Sequence, residues 1–147
     1  MDILDITFAW SVYLVFAGVL SILIGRYARN KISLEHWMLF GYALNTIGTF
    51  GYLFVYEPAS LFIVQIVLGT ASALATPTWD ALYATHESKK KAGSEWGIAD
   101  GGPQIVTGIA VVVGGFIVTF FGFTALFLTM GIIQIIATVV QAKILST

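Results

Sequence analysis

Six residues between positions 65 and 83 carry most of the chemistry this chain can offer. Gln65, Gly69, Ser72, Thr76, Asp80 and Tyr83 follow one another at steps of four, three, four, four and three. On a helix of 3.6 residues per turn, those steps put all six on one face. The face presents amide, hydroxyl and phenol groups and one carboxylate within an otherwise apolar run. Such a row has two uses. The commoner is to bond helix to helix through small and polar side chains. The other is to line a path for a polar solute, with Asp80 paired to a cation or carrying a proton. Asn45 adds an amide in a second apolar run. Asp100, Gln104 and Thr107 form a further polar row. The residues that suit a solute path are therefore Asn45, Gln65, Ser72, Thr76, Asp80 and Gln104.

Other chemistries find no footing. The chain has no cysteine, which removes disulfides, thiol nucleophiles and thiolate metal sites. His36 and His86 stand at the edges of apolar runs, with no second metal ligand at a useful spacing. There is no Ser–His–Asp set, no glycine-rich phosphate loop and no carboxylate pair with a base. An enzyme, a cofactor and a bound metal are not expected. The net charge of −1 and the two short basic loops also argue against nucleic acid as a partner.

The elements that must hold the polar residues are membrane helices. Of 147 residues, 58% are hydrophobic and 10% charged, against about 25% charged in soluble domains. Five apolar segments are predicted to span, over residues 7–25, 37–55, 61–84, 98–121 and 124–142. Each is close to the ~20 residues that cross ~30 Å of hydrocarbon. They leave no room for a soluble domain, so residues 1–147 read as one all-α, polytopic transmembrane domain. Glu57-Pro58 should form a short turn, since proline disfavours helix in the residue before it. Pro77 should kink the third helix near Ala73. The fourth helix is expected to start near Ile98 or Asp100, with Pro103 in its first turn. Gly122 should separate the last two helices.

Charge gives the orientation. All seven Lys and Arg residues fall at one side of the five segments: Arg26, Arg29 and Lys31, then Lys89 to Lys91, then Lys143. Basic residues near helix ends are retained in the cytoplasm. The expected arrangement has the N-terminus outside and the C-terminus inside, in the plasma (inner) membrane. The opening residues carry Asp2 and Asp5 and no basic group, unlike a secretory leader. Asp80 lies about one turn inside the cytoplasmic end and should find water or a cation, with Arg26, Arg29 and Lys31 nearest. Gly101, Gly108 and Gly115, each seven apart, make a smooth seam suited to close helix packing.

Three stretches resemble half of a major facilitator superfamily transporter. Gly25-Arg26-Tyr27-Ala28-Arg29-Asn30-Lys31 is similar to the family's basic loop after the second helix of a half, which marks Gly25, Arg26, Arg29 and Lys31 as gating-loop candidates. Residues 65–73 resemble the small-residue pattern of its fourth helix. Gly114-Gly115-Phe116, then Phe121-Gly122-Phe123 and Phe127, look like its fifth helix, outer turn and sixth helix. The resemblance covers nearly the whole chain and aligns the five segments with helices two to six of a six-helix half. It implies an incomplete half of an MFS-like bundle, a secondary active transporter of a small solute that the residues do not identify. Its partners would be the lipid bilayer and a second half, or another copy in a homodimer, because the two halves share one orientation. Arg29 departs from the pattern, standing where the family loop has Asp, and a swapped pairing with Asp100 or Glu95 is one consequence. The alternative is a non-transporting membrane subunit or remnant, whose polar stripe only joins helices.

Overall fold

A computed structural model of the chain describes residues 2–27, 33–87 and 91–145. Among these residues the protein is all-α, with no strand. Helix α1 spans Ile3–Tyr27 and α2 spans Leu34–Gly51, followed by one 3-10 turn at Tyr52–Phe54. Helix α3 spans Pro58–His86 and α4 spans Ala92–Leu145. Helices α1, α3 and α4 are each long and apolar enough to cross a membrane. Helix α2 is shorter, at 18 residues, and carries Glu35, His36, Asn45, Thr46 and Thr49.

The start of α3 follows from its sequence. Glu57 is extended, with φ −142° and ψ 161°, as a residue before proline prefers. Pro58 occupies the first turn, where a missing N–H costs least. The Glu57 N–H donates to the Ser60 hydroxyl at 3.3 Å, and that hydroxyl donates to the Glu57 carbonyl at 2.7 Å. The helix then runs through Pro77 as one element. Pro77 has no N–H for the Ala73 carbonyl. Beside it, the Thr78 hydroxyl reaches the carbonyls of Leu74 at 2.6 Å and Ala75 at 2.8 Å.

Helix α4 is two rods. Gly122 has φ 81° and ψ 173°, a backbone region nearly closed to residues with a Cβ. Past this break the chain doubles back. A Cβ at Gly114 would lie 3.4 Å from Leu126, residues that a straight helix would hold about 18 Å apart. The first arm runs over residues 92–121 and the second over 123–145. The helix begins at Ala92, earlier than the expected start near Ile98, so Pro103 lies in its interior and not in its first turn. The extra turns form because the Ser94 and Glu95 N–H groups bond the Lys91 carbonyl, and because Trp96 and Glu95 meet α3.

Helix α3 is the hub. It packs on α1 and on α2, and α2 packs in turn on the second arm of α4. Small residues let the backbones approach: Ala71 and Ala73 are fully buried, and Gly69 is buried too. Along α2, Gly41 lies against Ala71 and Ala75, Gly48 against Val67 and Leu68, and Gly51 against Val64. The partners recede as α2 advances, so the two helices are antiparallel. The same holds for α2 and the second arm, where Thr46 meets Thr138, Phe50 meets Gly131 and Tyr52 meets Phe127. The turn at Glu57-Pro58 and the break at Gly122 therefore share one end of the bundle. The start of α2, the end of α3 and the end of α4 share the other, with Lys91 and Lys143. The outer surface is aliphatic and aromatic, from Ile3, Phe8 and Trp10 on α1 to Ile109, Phe120 and Ile136 on α4. A surface of this kind suits lipid, not water.

Candidate functional site: a polar cleft between three helices

At the basic end of the bundle, α2, α3 and the first arm of α4 border an open cleft of about 470 Å3. Tyr42 comes from α2. Ala75, Thr76, Trp79 and Asp80 come from α3, and Ala99, Asp100 and Pro103 from α4. The α3 group spans little more than one turn, so steps of three and four bring Thr76, Trp79 and Asp80 to one side. The α4 group is held by an aromatic chain. Trp79 stacks on Tyr83 with centroids 5.1 Å apart, and Tyr83 meets the Trp96 ring edge-on at 5.0 Å. The Tyr83 hydroxyl donates to the Glu95 carbonyl at 2.7 Å. These contacts tether the foot of α4 to α3, two helices that otherwise meet little, and bring Asp100 to the cleft that holds Asp80. Offset and edge-on ring pairs add about 0.5–1.5 kcal/mol each beyond burial.

The six-residue stripe does not form one continuous lining. Thr76 and Asp80 are exposed to the cleft. Ser72 is half-buried and lies outside the lining. Gln65 is buried at the far end of α3, where its Nε2 donates to the Tyr52 hydroxyl at 3.2 Å. That bond joins α3 to the end of α2, the helix-bonding use of the stripe. The Oε1 of Gln65 has no partner among the described residues. Asn45 is half-buried on α2, and its carbonyl accepts from the Thr49 hydroxyl at 2.8 Å. Gln104 follows Pro103 on an exposed turn, just outside the cleft.

Asp80 has no ion-pair partner among the described residues, and Arg26, at the exposed end of α1, does not reach it. Of the gating-loop candidates, Gly25 and Arg26 are in α1, while Arg29 and Lys31 lie outside the described residues. Gly101, Gly108 and Gly115 have nothing within 4 Å of where a Cβ would sit, so within the described chain their seam faces open space. Tyr42 and Trp79 were absent from the residues singled out by sequence. The signal that would have found Trp79 is its place three residues after Thr76 and one before Asp80.

A second groove, of about 660 Å3, opens between the arms of α4. Its lining is mostly apolar, with Val106, Ala110, Leu126 and Met130, and Thr107 and Thr119 bring the only side-chain hydroxyls among the described residues that line it. No group of three or more His, Asp or Glu side chains able to hold a metal occurs among the described residues.

The fold is that of an all-α integral membrane protein with a polar cleft among its helices. The sequence profile of the Major Facilitator Superfamily matches residues 1–146, and the chain belongs to that superfamily of membrane transporters. No curated protein matches the chain.

Proposed function

We propose that the chain supplies one part of the solute path of a secondary active transporter, with the cleft at Thr76, Asp80 and Asp100 as its cytoplasmic mouth. The observation that carries this reading is a pair of carboxylates, on two different helices, lining one cleft in a bundle whose outer surface is apolar. Carboxylates at membrane depth are costly and mark pathways for ions or substrates by default. The distribution of basic residues supports five spans with the N-terminus outside and the C-terminus cytoplasmic, and the plasma (inner) membrane is the location this reading takes.

The cleft is open on its side, so the reading includes a partner, either a second transporter half or another copy of this chain. Two halves of one orientation around a central site are the arrangement expected for such transporters. The competing reading, a membrane subunit with a structural role, draws on the far end of the stripe, where Gln65 and Tyr52 bond helix to helix. Reconstitution at high dilution, with single-molecule subunit counting and a solute-flux assay, separates the two. Flux only from assemblies of two or more chains supports the transport reading. Flux from a single copy overturns the need for a partner. Assemblies that remain silent across a broad solute panel leave the structural role.

A further inference from the structure

We propose that the cleft takes an organic cation, a compact ammonium group bearing methyl or aryl substituents. This deepens the transport reading and rests on it for the cleft's role as a solute site. Four observations point the same way. Asp80 and Asp100 both face the cleft, and neither has an ion-pair partner among the described residues. Among the described residues no basic side chain lines it, and the sequence holds no Lys or Arg between Lys31 and Lys89. An anion entering here meets two like charges with no cation lining the cleft among the described residues, and a neutral solute leaves both carboxylates without a counter-charge.

The other two observations concern the walls. Tyr42 and Trp79 bring two aromatic rings to the same cavity. A cation near such a ring is attracted by its quadrupole, most strongly for Trp and most usefully where water is sparse. Trp79 is also held in place. It stacks on Tyr83, which is itself anchored by its hydroxyl bond to the Glu95 carbonyl. The rest of the lining is apolar, through Ala75, Ala99 and Pro103, and accommodates methyl or aryl groups. A bare metal ion fits less well. Calcium wants six to eight oxygen ligands and magnesium a near-octahedral set, whereas the cleft presents two carboxylates on different helices and the Thr76 hydroxyl. At about 470 Å3, the volume falls in the range of small-molecule pockets.

The test uses the full chain in lipid nanodiscs and tritiated phenyltrimethylammonium as the probe. Its neutral isostere tert-butylbenzene and the anion benzoate serve as competitors. Saturable binding is expected, displaced by the unlabelled cation and by neither competitor at equal concentration. Asp80→Asn should weaken it about tenfold or more, and Trp79→Leu about tenfold, with Trp79→Phe retaining most of the affinity. Asp100→Asn, at an exposed position, is the second variant should Asp80→Asn fold poorly, and it should also weaken binding. Absence of saturable binding overturns the proposal. So does equal displacement by tert-butylbenzene, or an affinity unmoved by both aspartate substitutions. Binding needs no flux, so the two readings fail separately. A chain that binds the cation and moves nothing sinks the transport reading alone. A chain that moves benzoate and binds no cation sinks this one alone.

Discussion

Thr46 on α2 and Thr138 on the second arm of α4 face each other with their hydroxyl oxygens 3.0 Å apart. Each also reaches back along its own helix, Thr46 to the Tyr42 carbonyl at 3.0 Å and Thr138 to the Gln134 carbonyl at 2.8 Å. Two hydroxyl protons thus serve three contacts, so the cross-helix bond forms only when one back-bond is released. Its net contribution should sit near the ~0.6 kcal/mol average for bonds between membrane helices. A double-mutant cycle with Thr46→Val and Thr138→Val, read by unfolding in mixed micelles, should return a coupling of that size. A coupling above about 2 kcal/mol contradicts this account.

Glycines in this bundle are not equivalent. A Cβ at Gly69 would lie 2.8 Å from the Tyr13 carbonyl oxygen, which is backbone and cannot swing away. Gly69→Ala should therefore push α1 off α3 and cost about 1–3 kcal/mol. Gly108→Ala meets nothing within 4 Å in the described chain and should be neutral or slightly stabilising, since alanine is the better helix former. The same unfolding assay ranks the two variants, and equal losses would refute the distinction. If Gly108→Ala instead abolishes association between chains while leaving each folded, the glycine seam is the surface that meets a partner.

The contrast shows where sequence reading succeeds and where it stops. Apolar runs and turn residues locate the helices, and Gly122 announces its break, because these are local properties. The start of α4 at Ala92 is not local. Residues 92–97 read as a polar loop, and they meet α3 through Tyr83, Trp96 and Glu95. A seven-residue glycine repeat looks the same whether it packs or faces outward. The glycines in close contact, Gly41, Gly48, Gly51, Gly69 and Gly131, lie on three helices, and Gly41 and Gly48 have the same seven-residue spacing as Gly101 and Gly108, which meet nothing. The polar stripe likewise puts Gln65 and Asp80 on one face, but periodicity does not say which neighbour covers each part of it. Tyr42, Trp79 and Asp100 become neighbours only through packing.

Gly122 sets the angle between the arms of α4. Its φ of 81° is disfavoured for any residue with a Cβ, at about 1–3 kcal/mol. The absence of native cysteine makes a direct test simple. The pair Gly114→Cys and Leu126→Cys should cross-link under mild oxidation, because those positions approach each other across the turn. Adding Gly122→Ala should slow that cross-linking. A yield and rate unchanged by the alanine would show that the arms close without a glycine at the break.

The last prediction concerns sidedness. Antiparallel packing of α2 on α3 and of α2 on the second arm of α4 puts Pro58 and Gly122 at one end of the bundle, and Lys91 and Lys143 at the other. From the seven-to-none distribution of Lys and Arg we expect the lysine end to be cytoplasmic. A reporter inserted at Glu57 should be external and one inserted after Lys91 cytoplasmic. The two positions bracket α3, so the pair also tests whether that helix spans at all. Equal signals at both sites would make α3 a re-entrant or interfacial helix and would remove the reason for Asp80 to lie at membrane depth. Opposite signals of the reversed sense would turn the cleft outward. Asp80 and Asp100 would then meet solute from outside the cell, and the charge asymmetry would have to be overridden by a partner chain during insertion.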